Sequence, residues 1–329
     1  MLMPRARALW IVLGSTLVFA CGNDDDDDDS STSSPGSSSG SAWLVGDDGE
    51  MLRLTSNGAT APYRLDSDAD LHAIACVGDA GAWVVGERGT VLSTANGGAS
   101  WQRHDLGIAT DLEAVAVSEA AAARVVIAGD GVLASRRGDG AFSALHDGPV
   151  EWRAVSLDAR GQRLLAVAAD GSVWQAQGDA QVTESARFDG QSLAGIAMAE
   201  SPEVVVVVGA QGFVARTDDG GATWLPVAVP TVRDLWAVRV SHDGGALIAV
   251  GDAGVVVRVD DAGATAQEFL DAALSLRAIH MHGAGLGHVV GDAGTAMVTV
   301  DFGASWEPLE LDVDTVLRGV DDLHVGGHW

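Results

Sequence analysis

The chain has 329 residues, of which 46 are acidic and 19 are basic, so its formal net charge at pH 7 is −27. All basic residues are arginine, which excludes lysine Schiff-base chemistry. Nucleic acid is not expected as a partner, because phosphate neutralisation needs a basic face. The 42 glycines fall mostly at spaced turns between β-branched stretches such as VVVVVG, a pattern typical of an all-β protein.

Residues 1–20 are typical of a bacterial lipoprotein signal peptide. Arg5 and Arg7 precede an apolar run that is too short to cross a membrane comfortably, and the run ends with VFA directly before Cys21. This ending resembles a lipobox, in which the cysteine is diacylated and becomes the mature N-terminus. The alternative is an ordinary cleaved signal followed by a chance cysteine.

Residues 21–41 contain the lipidated cysteine, a run of aspartates and a Ser/Gly-rich stretch. Such a composition cannot bury enough apolar surface to fold, so it predicts a disordered tether. Loose calcium binding by the aspartates is the alternative to a solvated spacer. Because glycine rather than aspartate follows Cys21, we expect an exported protein held by its lipid at the outer membrane, facing the periplasm or the cell surface. Cys76, in an apolar strand, is predicted to be a small buried hydrophobic residue.

One four-strand unit recurs along residues 42–329. It consists of an L-x-A-I/V strand, a VVVG-like strand, a G-x-V-x-x-T strand, a polar turn closed by tryptophan, and a last strand. Seven such units at a spacing of about 40 residues indicate an all-β, seven-bladed β-propeller of four-stranded blades. The glycine that ends the second strand recurs at Gly46, Gly86, Gly129, Gly209, Gly251 and Gly291, and Ala168 takes its place in the remaining unit.

The two ends of this region are expected to share one blade. Residues 71–83 align without gaps on residues 317–329, so the repeat stops where the ordered N-terminal part starts, at Trp43. The C-terminal strand should therefore be the innermost strand of the blade whose other strands come from residues 43–66. Closure of this kind removes exposed strand edges.

A polar turn of the form [ST]-x-[DN]-x-G-x-x-W separates the third and fourth strands in three units. The hydroxyl and the carboxylate or amide can bond backbone N–H groups in a tight hairpin, while the glycine accepts a positive φ and the tryptophan packs between sheets. The turn resembles the Asp-box of bacterial neuraminidase-type repeats. Because degenerate copies such as VDDAGATA occur, we interpret the turn as structural rather than as a site. Its residues are Thr94, Asn96, Gly98 and Trp101; Thr217, Asp219, Gly221 and Trp224; and Thr299, Asp301, Gly303 and Trp306.

The export signal and the seven units of the G-x-V-x-x-T-x-D-G-G-x-x-W type, of which three keep the turn closed by tryptophan, together resemble the photosynthesis system II assembly factor family over residues 42–329. Its members are seven-bladed propellers of cyanobacteria, plastids and many non-photosynthetic bacteria. In phototrophs the family implies a non-catalytic scaffold that binds nascent membrane-protein subunits. We therefore expect a monomeric binding or assembly scaffold that has no cofactor, whose partner is a protein or glycan with anionic groups at the envelope.

A glycan-acting enzyme is the second hypothesis, because sialidases and some xyloglucan-cleaving glycosidases share the Asp-box; a carbohydrate-binding module is the third. Sialidase-like chemistry needs an arginine cluster and a tyrosine nucleophile with a nearby glutamate. The one tyrosine, Tyr63, falls in an outer strand. A two-carboxylate glycosidase usually builds a cleft from long insertions, for which these units leave little room. A basic rim around the channel would favour the scaffold, and a carboxylate pair within about 10 Å in a pocket would favour the enzyme.

Histidines cluster toward the C-terminus. Zinc would accept such ligands if two or three converged. His242 and His324 share one repeat position, with His282 near the equivalent turn, but turns of adjacent blades diverge and no H-x-x-x-H or C-x-x-C spacing is present. We therefore predict solvated turn histidines and no metal site. The five clustered histidines are His280, His282, His288, His324 and His328.

The second residue of each innermost strand is expected at one mouth of the central channel. Arginine is far more frequent there than in the chain as a whole. Fixed arginines form bidentate contacts with carboxylates, which predicts a binding site for anionic groups. The alternative is that they neutralise the protein's own acids, such as Asp70, Asp111 and Asp234. In ring order the mouth residues are Arg318, His72, Glu113, Arg153, Ala194, Trp236 and Arg277.

Overall fold

The structure is a computed structural model that describes residues 41–54, 60–64, 68–120, 122–270, 273–282 and 285–323. The predicted signal peptide, Cys21 and the tether up to residue 40 lie outside the described residues, as do His324 and His328. Within the described ranges no helix has the length and apolar character needed to cross a membrane.

Seven four-stranded antiparallel sheets, the blades, make up the fold. Blade 1 contains β1 (Ser41–Gly46), β2 (Glu50–Leu54), β3 (Thr60–Arg64) and the last strand, β28 (Leu317–Leu323). Blade 2 contains β4 (Leu71–Val77), β5 (Gly81–Gly86), β6 (Thr90–Thr94) and β7 (Gln102–Arg103). Blade 3 contains β8 (Leu112–Val117), β9 (Arg124–Gly129), β10 (Val132–Arg137) and β11 (Ser143–Ala144).

The remaining four blades follow in chain order. Blade 4 contains β12 (Trp152–Leu157), β13 (Arg163–Ala168), β14 (Ser172–Gln177) and β15 (Thr183–Arg187). Blade 5 contains β16 (Leu193–Met198), β17 (Val205–Gly209), β18 (Val214–Thr217) and β19 (Leu225–Pro226). Blade 6 contains β20 (Leu235–Val240), β21 (Leu247–Gly251), β22 (Val255–Asp260) and β23 (Gly263–Glu268). Blade 7 contains β24 (Leu276–Met281), β25 (Gly287–Gly291), β26 (Ala296–Thr299) and β27 (Glu307–Pro308).

The ring closes in blade 1, where the last strand pairs with the first. β28 runs antiparallel to β1, with a register that extends from Ser41↔Leu323 to Gly46↔Leu317. β28 also lies between β24 and β4, the innermost strands of blades 7 and 2. The predicted seven-bladed propeller, closed by the C-terminal strand, is therefore confirmed.

The second strand of each blade forms the core, because neighbouring blades cover both of its faces. Every residue of β9, β13 and β17 is buried. These strands read as almost continuous apolar runs, as expected of fully covered strands. One cluster joins Trp83 and Val85 of blade 2 to Val125 and Ile127 of blade 3. The two-residue outer strands β7, β11, β19 and β27 are exposed.

The recurring glycine ends the second strand because the backbone of the innermost strand passes too close for a side chain. A Cβ on Gly86 would lie 2.1 Å from the carbonyl oxygen of Asp70, and one on Gly251 would lie 1.9 Å from that of Asp234. The other four glycines have equivalent distances of 2.1 to 2.2 Å. Ala168 ends β13 at this position in blade 4, as the repeat predicts, so the innermost strand of that blade leaves room for a methyl group.

Candidate binding site at the channel mouth

Each innermost strand carries a β-bulge at its second residue. In blade 2, Leu71 pairs with Gly86 and Ala73 pairs with Val85, so His72 between them has no partner in the ladder. The same register shift occurs in the other six blades. A bulge redirects the side chain of the extra residue. The seven predicted mouth residues therefore occupy equivalent places at one end of the innermost strands.

Some neighbouring mouth residues contact one another. His72 Nδ1 lies 3.5 Å from a carboxylate oxygen of Glu113 in blade 3. The guanidinium of Arg277 in blade 7 lies over the ring of Trp236 in blade 6, 5.6 Å from the ring centroid, which is a cation–π distance. The bulges thus bring charged and aromatic side chains of adjacent blades together.

Arg277 and Arg318 are also held by acids. Nε and Nη2 of Arg277 donate to the two carboxylate oxygens of Asp292, at 2.9 and 3.2 Å. Nε of Arg318 donates to Asp47, and its Nη2 lies 4.0 Å from Asp70. Burial lowers the pKa of Arg318, but the hydrogen bond and charge of Asp47 outweigh burial, so this pKa is raised. Both guanidinium groups are therefore fixed in orientation.

Pairing does not remove the mouth arginines from solvent. Arg153 pairs with Glu151, the residue before its own strand. The exposed fractions of the side chains are 35% for Arg153, 33% for Arg277 and 35% for Arg318. These arginines neutralise acids of their own blades, as the alternative interpretation expects, and still leave about a third of each side chain accessible to a partner.

Two acids that we expected beside the arginines have a different role. Asp111 accepts the backbone N–H of Arg88 at 2.9 Å, and Asp234 accepts that of Gln211 at 2.8 Å. Arg88 and Gln211 have φ values of 53° and 57° and lie in tight turns of the preceding blades. Asp70 accepts the equivalent N–H of blade 1. These acids fasten one blade's turn to the next innermost strand.

The mouth also contains a carboxylate pair. Oxygens of Asp70 and Glu87 and a ring nitrogen of His72 all lie within 4.8 Å of one another, and the three side chains are half-buried. Retaining glycosidases hold two carboxyl groups about 5 Å apart. The mouth therefore contains side chains of both charges. It combines the arginines expected of a scaffold with the carboxylate spacing expected of an enzyme.

The Asp-box turns satisfy their polar groups internally. In blade 5, Thr217 Oγ1 donates to Asp219 at 2.7 Å and accepts the N–H of Gly221 at 2.8 Å. Asp219 accepts the hydroxyl and the N–H of Thr223 at 2.6 and 2.8 Å, and these hydrogen bonds lower the pKa of Asp219 to about 2. Corresponding bonds recur in blades 2 and 7.

The tryptophans that close these turns pack between blades. Trp101 meets Trp43 of blade 1 edge-on, with 5.8 Å between ring centroids. Trp224 and Trp306 join apolar clusters shared with blades 4 and 6. Gly98 has a φ of 83°, and a Cβ there would lie 2.4 Å from the Trp43 ring, so both the turn and the packing require glycine.

A cluster of histidines and aspartates at the junction of blades 7 and 1 was missed by the sequence analysis. His280 and His288 face each other across β24 and β25, and His280 Nδ1 lies 2.5 Å from Asp321 of β28. The prediction of solvated turn histidines is wrong for His280, which lies within a strand and is only 8% exposed. Hairpin register, rather than repeat position, would have shown that His280 and His288 are neighbours.

Electrostatics reinforce the contact between His280 and Asp321. Burial lowers the pKa of His280, but the charge and hydrogen bond of Asp321 outweigh it, so the pKa of His280 is raised. Burial raises the pKa of Asp321, but His280 and the N–H of Cys76 outweigh burial and lower it. Cys76 is buried, as predicted, and its N–H donates to Asp321 at 2.7 Å.

A cleft of about 820 Å³ between blades 2 and 3 was also missed. Its lining includes His104, Arg136 and Phe142, and the guanidinium of Arg136 lies 4.7 Å from the centroid of Trp83. The lining also includes Arg103 of β7 and Ala144 of β11, the two-residue outer strands of blades 2 and 3. Strand length at the outer edge is not visible in the repeat pattern.

The fold defines a class of protein, the seven-bladed β-propellers, here with Asp-box turns. No protein-family model and no curated protein sequence matches the chain. Solved structures do match it. A structure of YCF48 bound to D1 peptide is 14% identical, with 86% of this chain and 98% of that chain covered and a TM-score of 0.62.

Two further structures show the breadth of the likeness. YCF48 from Cyanidioschyzon merolae is 18% identical, with 80% of this chain and 92% of that chain covered and a TM-score of 0.64. Virginiamycin B lyase from Staphylococcus aureus is 11% identical, with 74% and 85% covered and a TM-score of 0.64. At such identities the likeness shows the fold alone, and one fold carries both binding proteins and enzymes.

Proposed function

We propose that this protein is a non-catalytic scaffold that binds an acidic segment of another protein at the channel mouth. The observation that carries the proposal is the pair of accessible, fixed guanidinium groups of Arg277 and Arg318 on adjacent innermost strands. Asp292 engages Nε and Nη2 of Arg277, and Nη1 has no hydrogen-bond partner within the described part of the chain. This donor is available to a carboxylate of a partner.

Order and mixed charge at the mouth favour selective binding. An arginine that is already held by an acid and an aromatic ring loses little side-chain entropy when a partner arrives. The surrounding acids oppose long-range attraction of anions, as does the net charge of −27. We therefore expect affinity to come from short, well-oriented contacts, which give specificity more than they give rapid association.

The similarity to YCF48 bound to D1 peptide supports a protein segment as the partner, because that propeller has the same fold and binds a peptide. We expect the present chain to act as a monomer without a cofactor. A glycan that presents carboxylates would offer the mouth the same chemistry and is the outcome to be distinguished by experiment.

We also propose that the propeller is lipid-anchored through Cys21 at the bacterial outer membrane. The segment between Cys21 and the first strand has about 20 residues, and a flexible chain of that length reaches roughly 25 Å. Cys21→Ala should release a folded propeller into the soluble fraction. Variant protein that still sediments with membranes after a salt wash would show that the anchor is elsewhere.

Site-specific photocrosslinking tests the binding proposal. A photoreactive phenylalanine analogue at Ala194, the smallest member of the ring, should form a discrete adduct in cells. The combined change of Arg277 and Arg318 to alanine should reduce that adduct at least about tenfold, because truncating one member of a charge pair that the partner buries costs about 2 kcal/mol or more. Thermal melting should show that this variant remains folded.

Leu225 provides the matched control position, because it lies on the outer strand β19 and is 65% exposed. An adduct that forms equally at Leu225, or that survives the loss of both arginines, would contradict binding at the mouth. An adduct that glycosidase treatment removes and protease treatment does not would identify a glycan instead of a protein.

A glycan-acting enzyme is the second candidate, favoured by the spacing of Asp70 and Glu87 beside His72. Tyr63 lies on β3, the outer strand of blade 1, and its side chain is outside the described part of the structure. The test is turnover of a panel of aryl glycosides by the wild-type protein and by Glu87→Gln. Turnover that is lost in this variant would establish the enzyme and overturn the scaffold proposal.

A further inference from the structure

We infer that His280, His282, His288 and Asp322 form a binding site for a divalent transition-metal ion, best suited to zinc, that fastens blade 7 to the closing strand β28. The three histidines come from blade 7: His280 from β24, His282 from just after it, and His288 from β25. Asp322 comes from β28 in blade 1. The site therefore joins the last complete blade to the strand that closes the ring.

Ligand atoms of His280, His282 and Asp322 all lie within 4.8 Å of one another, as expected of ligands that share one centre. Asp322 Oδ2 lies 3.9 Å from His280 Nε2 and 3.8 Å from His282 Nδ1, and Asp322 Oδ1 lies 3.7 Å from His288 Nδ1. These separations are too long for direct hydrogen bonds. Zinc binds imidazole nitrogen and carboxylate oxygen at about 2.0–2.2 Å in a tetrahedron, whose edges are then about 3.4 Å. A small inward shift of these side chains would complete the coordination.

Burial makes the arrangement costly without a ligand. His280 is 8% exposed and Asp322 is 5% exposed. His280 Nε2, His288 Nδ1 and Asp322 Oδ1 are buried and have no hydrogen-bond partner among the described residues. A buried polar atom that makes no hydrogen bond costs about 1–3 kcal/mol. A bound ion would satisfy all three atoms at once.

His280 also has the outer contact that metal-binding histidines usually have. Its Nδ1 lies 2.5 Å from Asp321, and Asp321 accepts the N–H of Cys76 at 2.7 Å. A carboxylate on one ring nitrogen orients the imidazole and makes the other nitrogen a better ligand. In His280 that other nitrogen, Nε2, is the one that faces Asp322.

The ligand chemistry selects the ion. Imidazole nitrogens with one carboxylate suit zinc, copper, nickel and cobalt, whereas calcium and magnesium prefer oxygen ligands. His282 is 27% exposed, so the site has an opening through which an ion can enter. Because the ion would bind only the closed ring, it would stabilise the folded state by linkage.

The experiment measures zinc binding to the full-length protein after chelator treatment. Excess Ca²⁺ is included in the buffer to compete with zinc for the N-terminal aspartate run. Titration calorimetry with ZnCl₂ should give one site per chain with a dissociation constant below about 1 μM, and zinc should raise the melting temperature by about 5 °C. Co²⁺ in place of zinc should give the intense visible absorption of a tetrahedral site.

His280→Gln and Asp322→Asn should each weaken zinc binding at least about a hundredfold and abolish the cobalt spectrum. His242→Gln is the matched control, because His242 pairs with Glu200 away from the cluster and is 54% exposed. Wild-type protein that shows neither a zinc-dependent melting shift nor a cobalt spectrum would overturn the inference. So would a zinc affinity that is the same in both cluster variants and in the control.

Discussion

The Asp-box turn of blade 5 and the histidine–aspartate cluster at the junction of blades 7 and 1 use similar side chains in opposite ways. In the turn, Thr217, Asp219 and Thr223 satisfy one another within seven residues of chain. In the cluster, His280 and Asp322 come from different blades and leave buried polar atoms without hydrogen bonds. Polar groups that are satisfied locally hold a turn together, whereas groups that converge from separate blades can hold a ligand.

This contrast predicts that a substitution or deletion destabilises the fold more when the contact that it removes spans a longer stretch of sequence. Contacts between blades hold the ring together, contacts between strands of one blade hold that blade, and contacts within a turn hold only the turn. Four changes of decreasing effect test this order.

Deletion of residues 315–329 should have the largest effect, because it removes β28 and every contact of that strand with β1, β4 and β24. We expect the cooperative melting transition to be lost and the protein to aggregate through the opened blade. Circular dichroism and size-exclusion chromatography provide the measurements. A truncated protein with the melting temperature of the wild type would show that closure by β28 does not hold the ring together.

Gly251→Ala should lower the free energy of unfolding by about 2–4 kcal/mol, because its Cβ would lie 1.9 Å from the carbonyl oxygen of Asp234 and the strands must separate. Gly245→Ala is the control, since its Cβ would meet only the flexible side chain of Asp243 at 3.2 Å. Urea denaturation measures both. Equal midpoints for the two variants would contradict the close-approach explanation of the recurring glycine.

Thr217→Val should lower the free energy of unfolding by about 1–2 kcal/mol, because Thr217 is 1% exposed and its hydroxyl bonds both Gly221 and Asp219. Thr265→Val, at an exposed position on the outer strand β23, should change it by less than about 0.5 kcal/mol. If urea denaturation shows the larger loss for Thr265→Val, the internal bonds of the turn are not what stabilises it.

Asp219→Asn should have the smallest effect, because Asn96 occupies the same position in blade 2 and accepts the same N–H bond. Hydrogen bonds from Thr223 lower the pKa of Asp219 to about 2, from an ordinary 3.8. A lowered pKa means that the carboxylate contributes its stability above pH 3.8 and loses it as the pH falls through 2. The wild-type and variant melting temperatures should therefore converge as the pH falls from 4 to 2. A difference between them that increases over this range would contradict stabilisation by the Asp219 carboxylate.

The same contrast explains how much of the structure was predictable from sequence. The ring, its seven blades and its closure follow from a repeat whose glycines and turn residues act within one unit, as Gly251 and Thr217 do. The mouth positions were predicted because each innermost strand contributes one equivalent residue. The hydrogen-bond partners of those residues were not predicted, since the acid that accepts from Arg318 is Asp47, at the other end of the chain.

The histidine cluster was missed for a related physical reason. Repeat position compares a residue with its counterpart in another blade, but His280 gains its neighbours from hairpin pairing with β25 and from lateral contact with β28. Neither contact recurs from one four-strand unit to the next. Contacts that form once in the ring leave no periodic signal in the sequence.

The bulges at the second residue of the innermost strands have a consequence for how such proteins diversify. Each bulged residue lies outside the pairing ladder, as His72 does in blade 2. A substitution at this position therefore leaves the register of the strands unchanged. Seven positions can therefore change one at a time, from arginine to alanine to tryptophan, while the sheets keep their pairing. A ring of this kind can acquire a new binding preference through single substitutions, with no refolding and with little cost to the rest of the molecule.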